Sequence, residues 1–420
     1  MITHQYGQAA QRFFIRFLWV FILLFIITLT EYTDYLPSLR SWTNPLAEQL
    51  VLWSGQYIWH LPKGYIYQLS SDSMGSLIHL FNLILIACLG SVIWGCCFPK
   101  QDYNKLLFGL TVMVRYYLAL QLLLYGFNKV FKCQFFIPEP NILYTTVGET
   151  PRDLLFWSLM GSAYGYTVFG GLLEVIAACL LLFRKTYLLG ALMAFGLLAN
   201  VVAINFGFNI SVKMYSSIYC FLSIILILPH LPRLYAFFIQ NQLKAPIWQP
   251  NWSTSKQQRV YLLSKIIVIW LLFFEGLGPY FATNNFNDDT QERPLFHGAY
   301  AVGSFVQNDY SIPPLQTYHH RWKRAFVHRR GYFIVQTMDD KMQDYEFYYD
   351  NEQHLFELIH PHTQISTYFE YQQLNPTTLL LTGTLDKQVV QITLQALDWK
   401  KLPLLKDEIH WTIDQIRNST

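Results

Sequence analysis

Residues 106–125 read LLFGLTVMVRYYLALQLLLY, and residues 164–183 read YGYTVFGGLLEVIAACLLLF. Each run holds about 20 residues, enough at about 1.5 Å per residue to cross a bilayer as a helix. Each also carries one charge near its middle, Arg115 in the first and Glu174 in the second. A lone charge at mid-membrane costs about 2.5–3.5 kcal/mol even on a lenient insertion scale. Two such costs in neighbouring spans suggest that the charges answer each other. Arg115 lies about 16 Å below Gly126 and Glu174 about 15 Å below Tyr164, which puts them level if these residues mark the same membrane edge.

The composition around these runs agrees with a membrane protein. Of 420 residues, 53% are hydrophobic and 14% are charged, against roughly 25% charged in soluble domains. Five further apolar stretches are expected to span: Phe17–Thr30, Leu77–Cys97, Leu188–Phe206, Val212–Leu228 and Val260–Gly278. Phe17–Thr30 lacks a cleavage-type small-residue site after it and is read as a retained first helix rather than a signal peptide. Leu46–His60 reads as a short surface helix, Pro151–Met160 as a half-buried one within an external loop, and Pro279 is expected to end the seventh span.

Charge sets the orientation. With the N-terminus inside, the inner segments hold Arg12, Arg16, Lys100, Lys105, Arg184, Lys185, Arg233, Lys244, Lys256 and Arg259. The longer outer loops hold only Arg40, Lys63, Lys129, Lys132, Arg152 and Lys213. This bias predicts an N-in topology and, after seven spans, a C-terminal domain outside. Residues 285–420 carry 12 Lys/Arg against 17 Asp/Glu, so no basic footprint for nucleic acid is present.

Beyond the linker 281–296 the apolar period changes to two. His297–Val306, Arg321–His328, Gly331–Met338, Asp344–Asp350, His354–His360, Ser366–Tyr371, Thr377–Thr384 and Gln388–Leu394 read as short strands, as in an antiparallel meander or small barrel. Trp399–Leu405 and Trp411–Ile416 are expected to close it. The fold class is therefore a membrane all-α helical bundle of about seven transmembrane helices plus a C-terminal antiparallel β domain. The expected divisions are 1–105, 106–235, 236–279 and 280–420.

Candidate site residues cluster in the outer half of the bundle. Arg115 and Glu174 form either a structural bridge or part of a ligand or proton site. Asn128 and Lys129 end the third span, Asn200 and Asn205 the fifth, and Lys213 starts the sixth. With Tyr116 they are read either as interfacial caps and snorkelling groups or as the lining of a pocket whose lysines suit an anion. Glu275 is expected at the interface, and His79 and Asn82 share a helix face aimed into the bundle. His319-His320 and His360-Pro361-His362 have no Cys or carboxylate at zinc spacing, so no metal is expected. The six cysteines include no C-x-x-C pair, which argues against a dithiol oxidase.

Val114-Arg115-Tyr116, followed by Leu122-Leu123-Leu124-Tyr125-Gly126-Phe127-Asn128-Lys129, resembles the first helix of DoxX-like membrane proteins. Gly170-Gly171-Leu172-Leu173-Glu174-Val175, with Leu180–Arg184 and Leu188–Leu192, resembles the second and third helices of that family. The resemblance covers roughly 107–235 as a four-helix unit, and the whole layout is similar to larger family members from Bacteroidetes-type bacteria. It implies that Arg115, Lys129 and Glu174 are the family's polar positions. The family includes a quinone-linked thiosulfate oxidoreductase subunit and partners in thiol-stress complexes. Two functional expectations follow. One is an inner-membrane anchor for a periplasmic β domain that binds a protein partner or a small lipid-like ligand. The other is a redox-linked subunit that takes quinone as cofactor.

Overall fold

A computed structural model describes residues 2–30, 35–36, 39–62, 64, 70–243 and 255–406. The chain divides into two compact units: Met1–Gln134 with Thr167–Phe286, and Phe135–Tyr166 with Asn287–Thr420. Apart from residues 135–166, the three membrane segments expected at 1–105, 106–235 and 236–279 thus belong to one helical unit. Residues 135–166, most of which lie in the external loop expected at Phe127–Met160, belong to the β unit. Trp411–Ile416 and Lys244 lie outside the described residues.

The helical unit contains α1 (Ile2–Thr28), α2 (Arg40–Tyr57), α3 (Met74–Cys97), α4 (Tyr103–Val130), α7 (Tyr164–Leu181), α8 (Tyr187–Gly207), α9 (Lys213–Ile227), α10 (Leu231–Phe238) and α11 (Ser255–Thr283). The short α5 (Pro140–Leu143) and α6 (Arg152–Ser162) lie between α4 and α7 in the chain. Among the described residues, seven helices are long and apolar enough to cross a membrane: α1, α3, α4, α7, α8, the α9–α10 segment and α11. Each expected span overlaps one of them, with Phe17–Thr30, Tyr164–Phe183 and Val212–Leu228 overrunning a helix end by one or two residues.

Ser73 caps α3 by accepting from the Ser76 N–H, and Asp102 caps α4 by accepting from Asn104 and Lys105. These bonds satisfy N–H groups that have no partner within the helix. Pro279 does not end α11, which continues to Thr283. An apolar helix of this kind tolerates an internal proline where neighbouring groups satisfy the freed carbonyl.

α4 is the axis of the unit. Every residue from Tyr117 to Leu123 is buried, so the helix is enclosed on all sides at that level. It packs against α1, α9 and α11, while α8 pairs with α9 and α1 with α3. Glycine sets the approach of α7. A Cβ on Gly171 would stand 2.6 Å from the Gly126 carbonyl oxygen and 2.8 Å from Lys129 Cβ, so only glycine permits this backbone contact.

The β unit is a closed antiparallel barrel. Its strands are β1 (Gly298–Gln307), β2 (Tyr310–Ser311), β3 (Trp322–His328), β4 (Tyr332–Thr337), β5 (Met342–Asp350), β6 (Leu355–Ile359), β7 (Ser366–Asn375), β8 (Thr378–Leu385) and β9 (Gln388–Leu397). The order β1-β3-β4-β5-β6-β7-β8-β9 closes through β9 on β1, and β2 adds a two-residue ladder to β1. All eight expected strands are present, and the small-barrel alternative is the one adopted.

Asp386 and Lys387, both at positive φ, make the two-residue turn between β8 and β9. That geometry matches the right-handed twist of the paired strands. Phe305, Trp322, Phe333, Phe347, Phe356 and Phe369 fill the interior, as eight strands leave room for little more than side chains. Ile334 and Phe326 point the other way and pack with Ala299 under Tyr144.

Candidate functional site

Arg115 and Glu174 are both buried, at 3% and 5% exposure, yet they do not pair. Glu174 takes Lys129, whose Nζ donates to Oε1 at 2.9 Å and to Oε2 at 2.7 Å. Arg115 Nε donates to the Leu181 carbonyl oxygen at 2.9 Å. The expected pairing assumed that Gly126 and Tyr164 mark the same level. The structure instead packs Gly126 against Gly171, seven residues further along α7, a shift of about 10 Å. Glu174 therefore faces the Lys129 end of α4, and Arg115 lies toward the α7–α8 turn.

Each charge has its own surroundings. The Lys129 ammonium also sits 5.6 Å from the Tyr125 ring centroid, a weak cation–π contact. The Arg115 guanidinium lies 4.6 Å from the Tyr187 ring and 5.9 Å from that of Tyr116. Tyr187 Oη in turn meets His230 Nε2 at 2.5 Å, and the Nδ1 edge of His230 faces Arg233 at 3.3 Å. The Nε bond is the hydrogen bond that the Arg115 side chain makes among the described residues. Its two amino groups are not sealed, so they reach accessible space beside the helices. Amino groups placed there without a protein acceptor are open to water or to a bound group.

The remaining candidates are dispersed. Asn205 is buried and donates from Nδ2 to Ser216 Oγ at 3.0 Å. Asn200 is exposed on the outside of α8, and the Asn128 carbonyl accepts from the Gln134 N–H. Lys213 Nζ stands 3.6 Å from Asp72, whose carboxylate also caps α9 through the Lys213 and Met214 N–H groups at 2.9 Å each. Thus Lys129 joins Glu174, Tyr116 joins Arg115, and the outer-half pocket is not assembled from all eight residues. His79 and Asn82 do point inward as expected, meeting Thr28 Oγ1 at 3.0 Å and Ser54 Oγ at 2.9 Å. Glu275, expected at the interface, is fully buried and accepts from the Leu36 N–H at 2.7 Å.

A buried hydroxyl network escaped sequence reasoning. Tyr219 Oη donates to Gln121 Oε1 at 3.0 Å, Tyr117 Oη meets Thr30 Oγ1 at 2.7 Å, and Tyr215 Oη donates to the Leu29 carbonyl at 3.1 Å. Gln121 Nε2 is sealed without a partner. The signal was available: Tyr117, Gln121 and Tyr125 recur every fourth residue, as do Tyr215 and Tyr219, and such residues share a helix face.

The β unit has its own charged cluster. Glu139 Oε2 accepts from His297 Nε2 at 3.0 Å and from the Arg329 N–H at 3.3 Å. The Arg329 guanidinium meets Asp288 Oδ2 at 2.6 Å through both amino groups and covers the Phe136 ring at 3.8 Å. Burial would raise the Glu139 carboxyl. The His297 hydrogen bond, the His328 and His297 charges and the Arg329 N–H outweigh it and hold the group below 4.5. These contacts tie residues 136–140 to the strands. In the β6–β7 turn, His360 Nδ1 accepts from the His362 and Thr363 N–H groups at 3.3 Å each.

Seven membrane-length apolar helices, buried charges within them and a β-barrel domain define a polytopic membrane protein with a folded β unit. The chain is 33% identical over 113 residues to the uncharacterized protein YwoB of Bacillus subtilis (strain 168), an alignment spanning 27% of this chain and 71% of that protein. It belongs to the same family as YwoB. No family model matches the chain, and no solved structure matches it.

Proposed function

We propose that this protein is an inner-membrane anchor that presents its β-barrel outside the cytoplasm and binds a small lipid-like ligand or partner in its helical bundle. The observation that carries the binding half is Arg115: a residue 3% exposed whose side-chain hydrogen bond runs from Nε to a backbone carbonyl, leaving its two amino groups open. An ionisable residue inside a membrane-spanning bundle is costly and marks a ligand or ion path by default. The orientation draws on the basic residues around the α7–α8 turn and the N-terminus, which the positive-inside bias assigns to the cytoplasm. The DoxX-like grouping of residues 107–235 is part of the same proposal.

The test is organic extraction of full-length protein purified in mild detergent. Wild type is expected to release one lipid-like molecule per chain, and Arg115→Gln, checked for folding by thermal unfolding, to release far less. Wild type without any such molecule contradicts the proposal. Stoichiometric quinone in the extract would move the assignment to the redox-linked alternative. A reporter fused after Thr420 is expected to be active outside the cytoplasm.

A further inference from the structure

We propose that the end of the β-barrel around Arg321 is a binding site for a carboxylate carried on a small apolar group. The site is separate from the one in the helical bundle, since every residue it uses belongs to the β unit. Arg321 stands just before β3, at the end of the barrel where β4 and β8 finish and β5 and β9 begin. The residue is 4% exposed. Its guanidinium is held from two sides. Nε donates to the Ile312 carbonyl oxygen and Nη1 to that of Trp322, each at 2.9 Å. Nη1 also lies 3.5 Å from Met338 Sδ, a weak acceptor.

The second amino group, Nη2, has no acceptor among the described residues and is not sealed in the interior. It is therefore open to water or to a bound group. No carboxylate pairs with Arg321 among the described residues, although nearby lysines are matched, Lys323 with Asp340 and Lys341 with Asp339. Burial lowers the Arg321 pKa from its ordinary value, and no charged neighbour contributes. The loop that carries the side chain is also fixed. Pro313 and Pro314 stiffen it. The Ile312 N–H donates to the Phe305 carbonyl at 2.8 Å and the Arg321 N–H to the Tyr318 carbonyl at 3.0 Å.

A latch for this loop accounts for the bonds of Nε and Nη1 and leaves Nη2 unexplained. A guanidinium fixed on one side presents its remaining donors in a set direction, which suits the charge-assisted bonds of a carboxylate. One unmatched cation balances a single negative charge. A phosphate monoester, with about 1.5–2 negative charges at pH 7, would leave charge over. The surroundings are apolar: Met338 is buried, and Ile312 and Leu385, the last residue of β8, pack half-buried against the barrel core. The mouth of a β-barrel is a recurrent place for such ligands.

The shared chemistry is an apolar carboxylate, either a small free acid or the C-terminus of a peptide. Hydrogen exchange of the full-length protein in detergent, followed by mass spectrometry, tests it with hexanoate and its uncharged analogue hexanamide as probes. Hexanoate is expected to slow exchange in peptides from 312–323 and 338–345, and hexanamide to leave them unchanged. Arg321→Lys keeps the charge but loses the fork, and should weaken the hexanoate effect about tenfold. Because Arg321 also ties down its loop, a second variant leaves it in place. Met338→Glu sets a carboxylate beside Nη1 and should abolish the hexanoate response while the strands exchange as in wild type. An Ala-Leu-Leu peptide, with a free or an amidated C-terminus, separates the two sources. Stronger protection by the free peptide than by hexanoate assigns the carboxylate to a chain terminus, weaker protection assigns it to a small acid, and both support the site. Equal protection by hexanoate and hexanamide, protection that persists in Met338→Glu, or no protection at all would overturn it. None of these results bears on the Arg115 extraction.

Discussion

Lys129 Nζ lies within 2.9 Å of both carboxylate oxygens of Glu174 and joins α4 to α7 beside the contact between Gly126 and Gly171. The side chains are 12% and 7% exposed, so removing one partner strands the other charge in a dry place. Lys129→Met or Glu174→Leu alone should cost about 3–5 kcal/mol, while the double replacement recovers most of the loss. Thermal unfolding of the three variants in detergent checks this. Equal, additive losses would show that the two groups do not act as a pair.

The glycine contact makes a separate prediction. Gly171→Ala places a methyl group against the Gly126 carbonyl and Lys129, and overpacking of this kind costs about 1–3 kcal/mol. Gly170→Ala, one residue away with open space around its Cβ, should be nearly neutral. The same unfolding measurement compares them.

These two features show where the sequence was legible. The seven spans stand out because their apolar runs match bilayer thickness, and the eight strands because their alternation has a period of two. The Lys129–Glu174 pairing was not legible, and Arg115–Glu174 was expected instead, because Gly126 and Gly171 set the level between α4 and α7, not the ends of the apolar runs. The Glu139 cluster joins residues 158 and 190 positions apart. No local pattern reports such a contact, and Pro138-Glu139-Pro140 has the composition of an ordinary loop. The tyrosine–glutamine face of α4 was legible in its spacing, but the polar residues sit within a run whose hydropathy masks them.

The tyrosine network can be tested by pairing deletions. Tyr219→Phe leaves Gln121 with both polar groups unmet and should destabilise the protein by about 1–3 kcal/mol. Gln121→Leu in the Tyr219→Phe background removes those groups and should restore part of the loss. Further destabilisation by the second change would contradict the assignment.

Acid should loosen the β unit. Burial, with the neighbouring Arg330, Arg329 and His297 charges, holds His328 below 6.5 despite the opposing pull of Glu139. Folding therefore favours its neutral form, and stability falls as pH drops below about 6.5. Glu139 is also held below its ordinary 4.5, so its contribution is present above that value and is lost as pH falls through the lower folded value. Hydrogen exchange of peptides from 135–166 should accelerate in two stages as pH falls, after correction for intrinsic rates. His328→Gln should remove the upper stage, and Glu139→Gln should raise exchange already at neutral pH. A flat profile in wild type would remove the cluster as the clasp.

The barrel interior predicts a large packing loss. Phe369 is fully buried against Trp322, and Phe369→Ala should cost about 3–5 kcal/mol. Tryptophan fluorescence during denaturation gives the measurement.

The central claim is that Arg115 meets a ligand inside the bundle. The most direct measurement is the native mass of the full-length protein released from its own membranes. The account predicts the 49.3 kDa chain carrying one bound small molecule, and the chain alone for a folded Arg115→Gln variant. Wild type released as the bare chain, or both proteins carrying the same molecule, would contradict it.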